Sequence, residues 1–178
     1  IKMYINKDTK YARKLIVSLA TTLRYLLGKF GRFITLEREI SYLEDYIEIE
    51  RARYVDRLTI DFITPEKTGN IELPVLCIQP LVHNAIMHGI LPKDGIGKIM
   101  IKVEKADKEL LITIEDNGVG MTEEQVIGAY KKGYGSGCGI GISNVNERLK
   151  LLYGEDYGVK IDSEYMHGTS VFFRIPIL

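Results

Sequence analysis

The sequence predicts an α+β fold: one sheet of about five strands with helices on one side, preceded by a helical hairpin. Three observations predict it. Two early stretches carry apolar residues in steps of three and four, the later chain contains short alternating runs bounded by turn residues, and further amphipathic helical stretches lie between those runs. A length of 178 residues suits one compact domain with an appendage, and a composition of 46% hydrophobic and 27% charged residues, with five prolines and no tryptophan, excludes disordered, collagen-like and disulfide-scaffold classes.

The first helix is read from Leu15, Leu19, Leu23, Leu26 and Phe30, the second from Leu36, Ile40, Leu43 and Ile47. The link Gly31-Arg32-Phe33-Ile34-Thr35 is short, with Gly31 as a helix stop and Thr35 as a cap ahead of Glu37 and Glu39. The apolar stripes of this hairpin need a partner, either another copy of the chain or the domain that follows. Leu58 to Ile63 alternates like a half-buried strand and ends at Thr64-Pro65. Pro74 to Gly89 reads as a helix, and Lys98 to Lys105 and Glu109 to Glu115 as two strands joined at Ala106-Asp107-Lys108. Thr122-Glu123-Glu124-Gln125 is a capping-box start for a short helix. Ile142 to Leu152 forms a longer one stopped near Gly154, and Val159 to Ser163 and Thr169 to Pro176 close the chain as strands.

Twenty-four Lys and Arg balance 24 Asp and Glu, so net charge gives no argument for a polyanionic partner such as nucleic acid. The neutrality is a cancellation. Residues 1–33 carry eight bases against one acid, residues 34–57 seven acids against four bases, and the remainder 12 bases against 16 acids. A basic helix joined tightly to an acidic one would pair as an antiparallel hairpin, or each charged face is simply solvated. Cys77 and Cys138 have neither framework nor metal spacing, which points to a reducing intracellular compartment. The most apolar stretch, Leu15 to Phe30, is interrupted by Arg24 and Lys29, so no bilayer span and no membrane contact by this segment is expected. A chain opening on Ile1 reads as a fragment without a signal peptide.

Three constellations carry chemistry. In Gln79 to Gly89, Asn84 and His88 are four apart and share one helix face, while Val82 and Ile86 share another. Polar groups in so apolar a helix face either a satisfied core network or a ligand. Asp116-Asn117-Gly118-Val119-Gly120-Met121 follows a strand and precedes a capped helix, which weakens a simple hairpin turn. An Asp where glycines let the backbone approach closely suits a ligand's amine. The third, Gly133 to Gly141, has glycine at every second position and runs straight into a helix, an arrangement that suits phosphate; a flexible linker is the alternative, though linkers rarely run straight into an amphipathic helix. It is neither a P-loop, because Ile142-Ser143 follows Gly141, nor a dinucleotide fingerprint, because strict alternation breaks that register.

In this order the three match the nucleotide boxes of the histidine-kinase and GHKL ATPase superfamily, and the chain resembles most closely the sensor histidine kinases of the YesM/LytS type. The resemblance runs through Leu23-Arg24-Tyr25-Leu26-Leu27, Leu36-Glu37-Arg38-Glu39, Tyr46 to Glu50, Gln79-Pro80-Leu81-Val82, Asn84-Ala85-Ile86, His88-Gly89, Asp116 to Met121, Gly139-Ile140-Gly141, Asn144 to Leu149 and Gly168-Thr169. It implies a two-layer α/β sandwich with a mixed sheet over residues 57–178, preceded by the C-terminal part of a dimerisation and phosphoacceptor region over residues 1–56. It implies ATP and Mg²⁺ as cofactors, with nucleotide-site residues Asn84, His88, Asp116, Gly118, Gly120, Met121, Gly137, Gly139, Gly141, Ile142 and Thr169. Asn84 corresponds to the Mg²⁺ ligand, Asp116 to the acceptor of the adenine amine, Thr169 to the threonine near the adenine end, and residues 122–138 to a lid. Lys131 and Lys132 either neutralise phosphate or form a solvated face.

Such kinases transfer the γ-phosphoryl group of ATP to a histidine and pass it to a response regulator. The resemblance therefore implies a homodimer through the hairpin, a response regulator as partner, and the cytoplasmic part of an integral membrane protein of the bacterial plasma membrane. Two departures qualify it. The family's acceptor motif, His-Phe-Leu-Phe-Asn, is absent, and none of His83, His88 or His167 stands in its context, so the chain alone is expected to bind ATP without phosphorylating itself. The family's catalytic Glu before the Asn is replaced by His83, which either does that work near neutral pH or leaves ATP binding with reduced turnover. Met87 also replaces a commonly basic position. The alternative is a catalytically weakened ATP-sensing dimerisation module that signals by conformation; a serine kinase of the anti-sigma type fits less well, because it lacks the hairpin.

Overall fold

The computed structural model describes residues 13, 15–18, 20, 32–54, 57–65, 70–131 and 139–177. Residues 15–18 are helical, with Leu15 and Ser18 buried and Ile16 and Val17 exposed. Ser18 donates through Oγ to Asp45 Oδ1 at 2.7 Å, so the first predicted helix meets the second at that point. Leu19, Leu23, Leu26, Phe30 and Gly31 lie outside the described residues.

Phe33–Thr35 is a strand, β1, where the sequence suggests only a link. It pairs antiparallel with β3, Glu72–Pro74, to form a separate two-stranded sheet. Pro74 therefore ends a strand instead of opening a helix. Thr35 also caps the helix α1, Leu36–Arg53, accepting from Arg38 N at 3.4 Å, with Glu37 and Glu39 in the first turn and Arg51 and Arg53 in the last, all favourable to the helix dipole. Leu36, Leu43 and Ile47 are buried in the same apolar cluster as the main sheet. The stripe of α1 is thus partnered by the domain that follows, held also by Glu39, which accepts from Ile78 N at 3.3 Å, and by Arg51, which donates to the Ile60 carbonyl.

The five-stranded sheet has the order β2 (Leu58–Ile63), β4 (Gly97–Ala106), β5 (Glu109–Asp116), β7 (Gly168–Pro176), β6 (Lys160–Glu164). It is mixed, since β2 and β4 run parallel and the remaining pairs antiparallel. Register puts Ile101 beside Ile114, Ile112 beside Phe173, and Ile114 beside Val171, all buried on one face. The other face carries polar pairs such as Lys102 and Glu115, 2.8 Å apart. An apolar face on one side only is what a two-layer arrangement requires.

Onto that face pack α2 (Gln79–Asn84), its π-helical continuation (Ala85–Ile90) and α4 (Gly139–Tyr153), through Leu81, Val82, Ile86, Val145 and Leu149. The predicted helix from Pro74 begins only at Gln79, because Leu76 takes a φ of +55° and Pro80 is tolerated only in a first turn. Its last part widens to a π-turn, with Leu91 N bonded to Ile86 O at 2.9 Å. The short helix α3, Glu123–Ala129, has the full capping box expected: Gln125 N donates to Thr122 Oγ1, and Thr122 N donates to Gln125 Oε1. Helix α4 starts three residues earlier than predicted and stops before Gly154, whose φ of +105° suits a residue without a side chain. Among the described residues no helix is long and apolar enough to cross a membrane.

Candidate functional site

Asn84, His88, Asp116, Gly120, Met121, Ile142 and Thr169 line one cavity of about 470 Å³. Asn84 closes α2 and His88 lies in the π-turn, so both face the cavity, whereas Val82 and Ile86 are fully buried in the core. The Asn84 amide nitrogen is buried with no hydrogen-bond partner among the described residues. Gly141, in the first turn of α4, lets that helix come close: a Cβ there would stand 2.6 Å from Asn84 Nδ2. The cavity therefore has an unsatisfied carboxamide beside the N-terminal turn of a 15-residue helix, whose first amides have no partners within the helix.

Asp116 is held at the end of β5 by its neighbours. Gly118 N donates to Asp116 Oδ1 at 2.8 Å. A Cβ on Gly89 would lie 2.6 Å from that oxygen, and one on Gly118 would lie 2.3 Å from the Gly89 carbonyl. Both positions require glycine for this close approach. Burial pushes the Asp116 carboxyl up to about 6, opposed by the Gly118 and Thr169 amides and the Lys93 ammonium. At neutral pH it is still mainly a carboxylate, with acceptor capacity for a donor in the cavity.

Around these polar groups the walls are apolar, with Leu81, Ala85, Ile114, Val119, Ala129 and Val171. Apolar walls with a few fixed polar groups suit a flat heteroaromatic ligand. Thr169 is tied in through its hydroxyl, 2.9 Å from Ser163 Oγ, and that same oxygen accepts from Met121 N at 2.9 Å and donates to Gly168 O.

Other predicted residues stand elsewhere. Gly118 acts through its backbone beside Asp116, Gly139 starts α4, and Gly137 lies outside the described residues. So do most of the alternating glycines, together with Lys132. Lys131 is exposed, and of the proposed lid the described part is α3 and the residues beside it. His83 is not among the residues lining the cavity; its Nδ1 lies 2.8 Å from Tyr46 Oη on α1. Desolvation and then the Arg53 charge lower its pKa, while desolvation and then His83 lower that of His88, so both imidazoles are neutral at pH 7. Gln125 and Ala129, from the expected lid segment, also line the cavity, as do Pro92 and Tyr165, which no motif of the sequence pointed to.

Residues 69–178 match the family of histidine kinase-, DNA gyrase B-, and HSP90-like ATPases, and residues 1–58 match a histidine kinase family. The chain belongs to this ATPase family. Among its relatives, the sensor histidine kinase YpdA of Escherichia coli strain K12 is 39% identical over 173 residues, covering 97% of this chain and 29% of that protein. The sensor histidine kinase YesM of Bacillus subtilis strain 168 is 34% identical over 167 residues, covering 94% of this chain and 28% of that protein. The chain thus spans under a third of the length of these curated relatives. In three dimensions it resembles the catalytic domain of histidine kinase ThkA, with a TM-score of 0.63 at 18% identity, covering 82% of this chain and 94% of that one.

Membership in the ATPase family implies ATP binding. No cluster of three or more His, Cys, Asp or Glu side chains placed for a metal occurs among the described residues. A divalent ion bound through a nucleotide needs no such cluster; the buried unpaired atom of Asn84 is its amide nitrogen, a donor suited to an anionic oxygen, and a cation would take the side-chain oxygen instead.

Proposed function

We propose that the chain is the ATP-binding catalytic part of a two-component sensor histidine kinase. Residues 57–178 form the ATP-binding domain, and residues 1–56 the end of the dimerisation and phosphoacceptor region. The observation that carries the reading is the shared cavity, in which the Asp116 carboxylate and the unpaired Asn84 amide stand among apolar walls next to the first turn of α4.

In this reading the adenine amine donates to Asp116, and the ring lies against Ile114, Val119, Met121 and Val171. Thr169, bonded to Ser163, keeps that end of the site ordered. The triphosphate runs toward Asn84 and the amides of Gly139 and Gly141 at the start of α4. Mg²⁺ would be held by the Asn84 side-chain oxygen and would neutralise phosphate charge. The γ-phosphoryl group goes to a histidine of the dimerisation region and on to a response regulator, a transfer that depends mainly on positioning. Exposed Ile16 and Val17 support a homodimer through the helical segment, and sensor-kinase relatives support a cytoplasmic catalytic part of a bacterial membrane protein.

A second reading is favoured by one observation. His83, at the position of the family's catalytic Glu, is engaged by Tyr46 and does not line the cavity. That arrangement supports an ATP-sensing module of reduced turnover; in a longer chain that includes the acceptor histidine, His83→Glu should then phosphorylate faster than the parent, and equal rates would refute it. The nucleotide reading itself is tested by thermal unfolding with ATP, with and without Mg²⁺. Nucleotide at 100 times its dissociation constant should add about 2.7 kcal/mol of stability; no shift at millimolar ATP would reject it.

A further inference from the structure

The turn between β6 and β7 presents Tyr165 at the cavity. Tyr165 lines the cavity but is 59% exposed, and among the described residues its ring meets neither another ring nor a cation. A large aromatic ring left this open is unusual beside an apolar cavity, because half-exposed aromatics gain most when a flat partner covers them.

The backbone beneath the ring is fixed rather than loose. Met166 N donates to Val119 O at 2.6 Å, joining the turn to the loop that follows Asp116. His167 N donates to Glu164 O at 2.9 Å, and Ser163 Oγ bonds to Gly168 O and to Met121 N. Gly120 allows this contact, since a Cβ there would stand 1.9 Å from Glu164 O. The turn is thus bonded on both sides to the Asp116 loop, which sets the backbone from which the Tyr165 side chain springs relative to that carboxylate.

We propose that Tyr165 is a ligand-contacting residue of this site, its ring stacking on the purine base of the bound nucleotide whose amine donates to Asp116. The inference rests on the nucleotide reading above and adds to it the residue that covers the base. Base stacking on an aromatic ring is insensitive to which purine is bound, so Tyr165 contributes affinity for a base and Asp116 contributes the choice of adenine.

The test is calorimetric titration of the whole chain with Mg²⁺ present, using ATP and inorganic tripolyphosphate, for the wild type, Tyr165→Ala and Tyr165→Phe. Tyr165→Ala should weaken ATP about 5- to 100-fold, Tyr165→Phe should stay within about twofold of wild type, and tripolyphosphate should bind all three alike. Melting of the ligand-free variants should be unchanged, because the side chain is mostly exposed. Wild-type affinity for ATP in Tyr165→Ala would overturn the stacking assignment alone. Equal weakening of ATP and tripolyphosphate would also overturn it, as a loss not specific to the base. A wild-type chain that binds no ATP would overturn the nucleotide reading, and this inference with it.

Discussion

The Tyr46 hydroxyl lies 2.8 Å from His83 Nδ1, joining the helix before the sheet to the helix that carries Asn84. The contact adds to Glu39 at the start of α2 and Arg51 on the Ile60 carbonyl, so α1 is bonded at several points along its length. Removing the hydroxyl while keeping the ring deletes this contact together with the hydroxyl's interaction with Glu50. Tyr46→Phe should cost about 0.5–1.5 kcal/mol of stability, read as a lower urea midpoint at an unchanged slope. A midpoint equal to wild type would mean that the hydroxyl makes no net contribution.

Gly120 has a φ of +65°, and its missing Cβ would meet the Glu164 carbonyl oxygen at 1.9 Å. Backbone cannot swing aside as a flexible side chain can. Gly120→Ala therefore combines a left-handed conformation costing about 1–2 kcal/mol with an overlap that must displace the β6–β7 turn. Chemical denaturation should show a loss of about 2 kcal/mol or more; a loss under about 0.5 kcal/mol would contradict the close approach.

Gly141→Ala acts on the other end of the site. Its Cβ would stand 2.6 Å from Asn84 Nδ2, so the Asn84 amide or the first turn of α4 must move. Since affinity depends on that placement, ATP should bind at least about tenfold more weakly while the ligand-free melting temperature falls only a little. Unchanged ATP affinity would place the phosphates elsewhere.

The pH dependence follows from Asp116, whose carboxyl is pushed up to about 6 from 3.8 by burial. The folded state holds this proton more tightly than the unfolded one. Its contribution to stability is thus fully present below about 3.8 and is lost as pH rises through about 6. His83 and His88 shift downward, so their contribution is present above 6.5 and is lost as pH falls below it. Nucleotide binding uses the ionised Asp116, so ATP affinity should fall as pH drops below about 6, by up to about tenfold per unit. Titrations at about pH 5 and about pH 7.5 check this; equal affinities would show that no carboxylate of raised pKa accepts from the ligand.

Much of the fold was legible because its elements carry strong periodicity. The alternation of β2, β4 and β5, the Thr122 capping box and the stripe of α1 all have enough residues to declare a period. Strands β1 and β3 have three residues each, too few for alternation, and exist because they pair with each other across the chain. The π-turn after Asn84 was equally hidden, since residues 85–90 carry no apolar period that tells a π-turn from an α-turn. Asn84 and His88 stand out as polar groups in an apolar helix and Asp116 as a carboxylate flanked by glycines, whereas Thr169 is reached only through the family resemblance. Tyr165 was not legible, since a turn tyrosine has no pattern until the turn is bonded to Val119. The direction of His83 depends on Tyr46, which lies 37 residues away.

The most direct measurement of the central claim is ATP affinity of the wild type and Asp116→Asn, titrated calorimetrically at neutral pH with Mg²⁺. The amide keeps an oxygen for Gly118 N but loses the charge and replaces an acceptor with a donor that faces the adenine amine. Wild type should bind ATP, and Asp116→Asn should bind it at least about tenfold more weakly while remaining folded. Equal affinity in the two proteins, or no binding by the wild type, would contradict an ATP site built around Asp116.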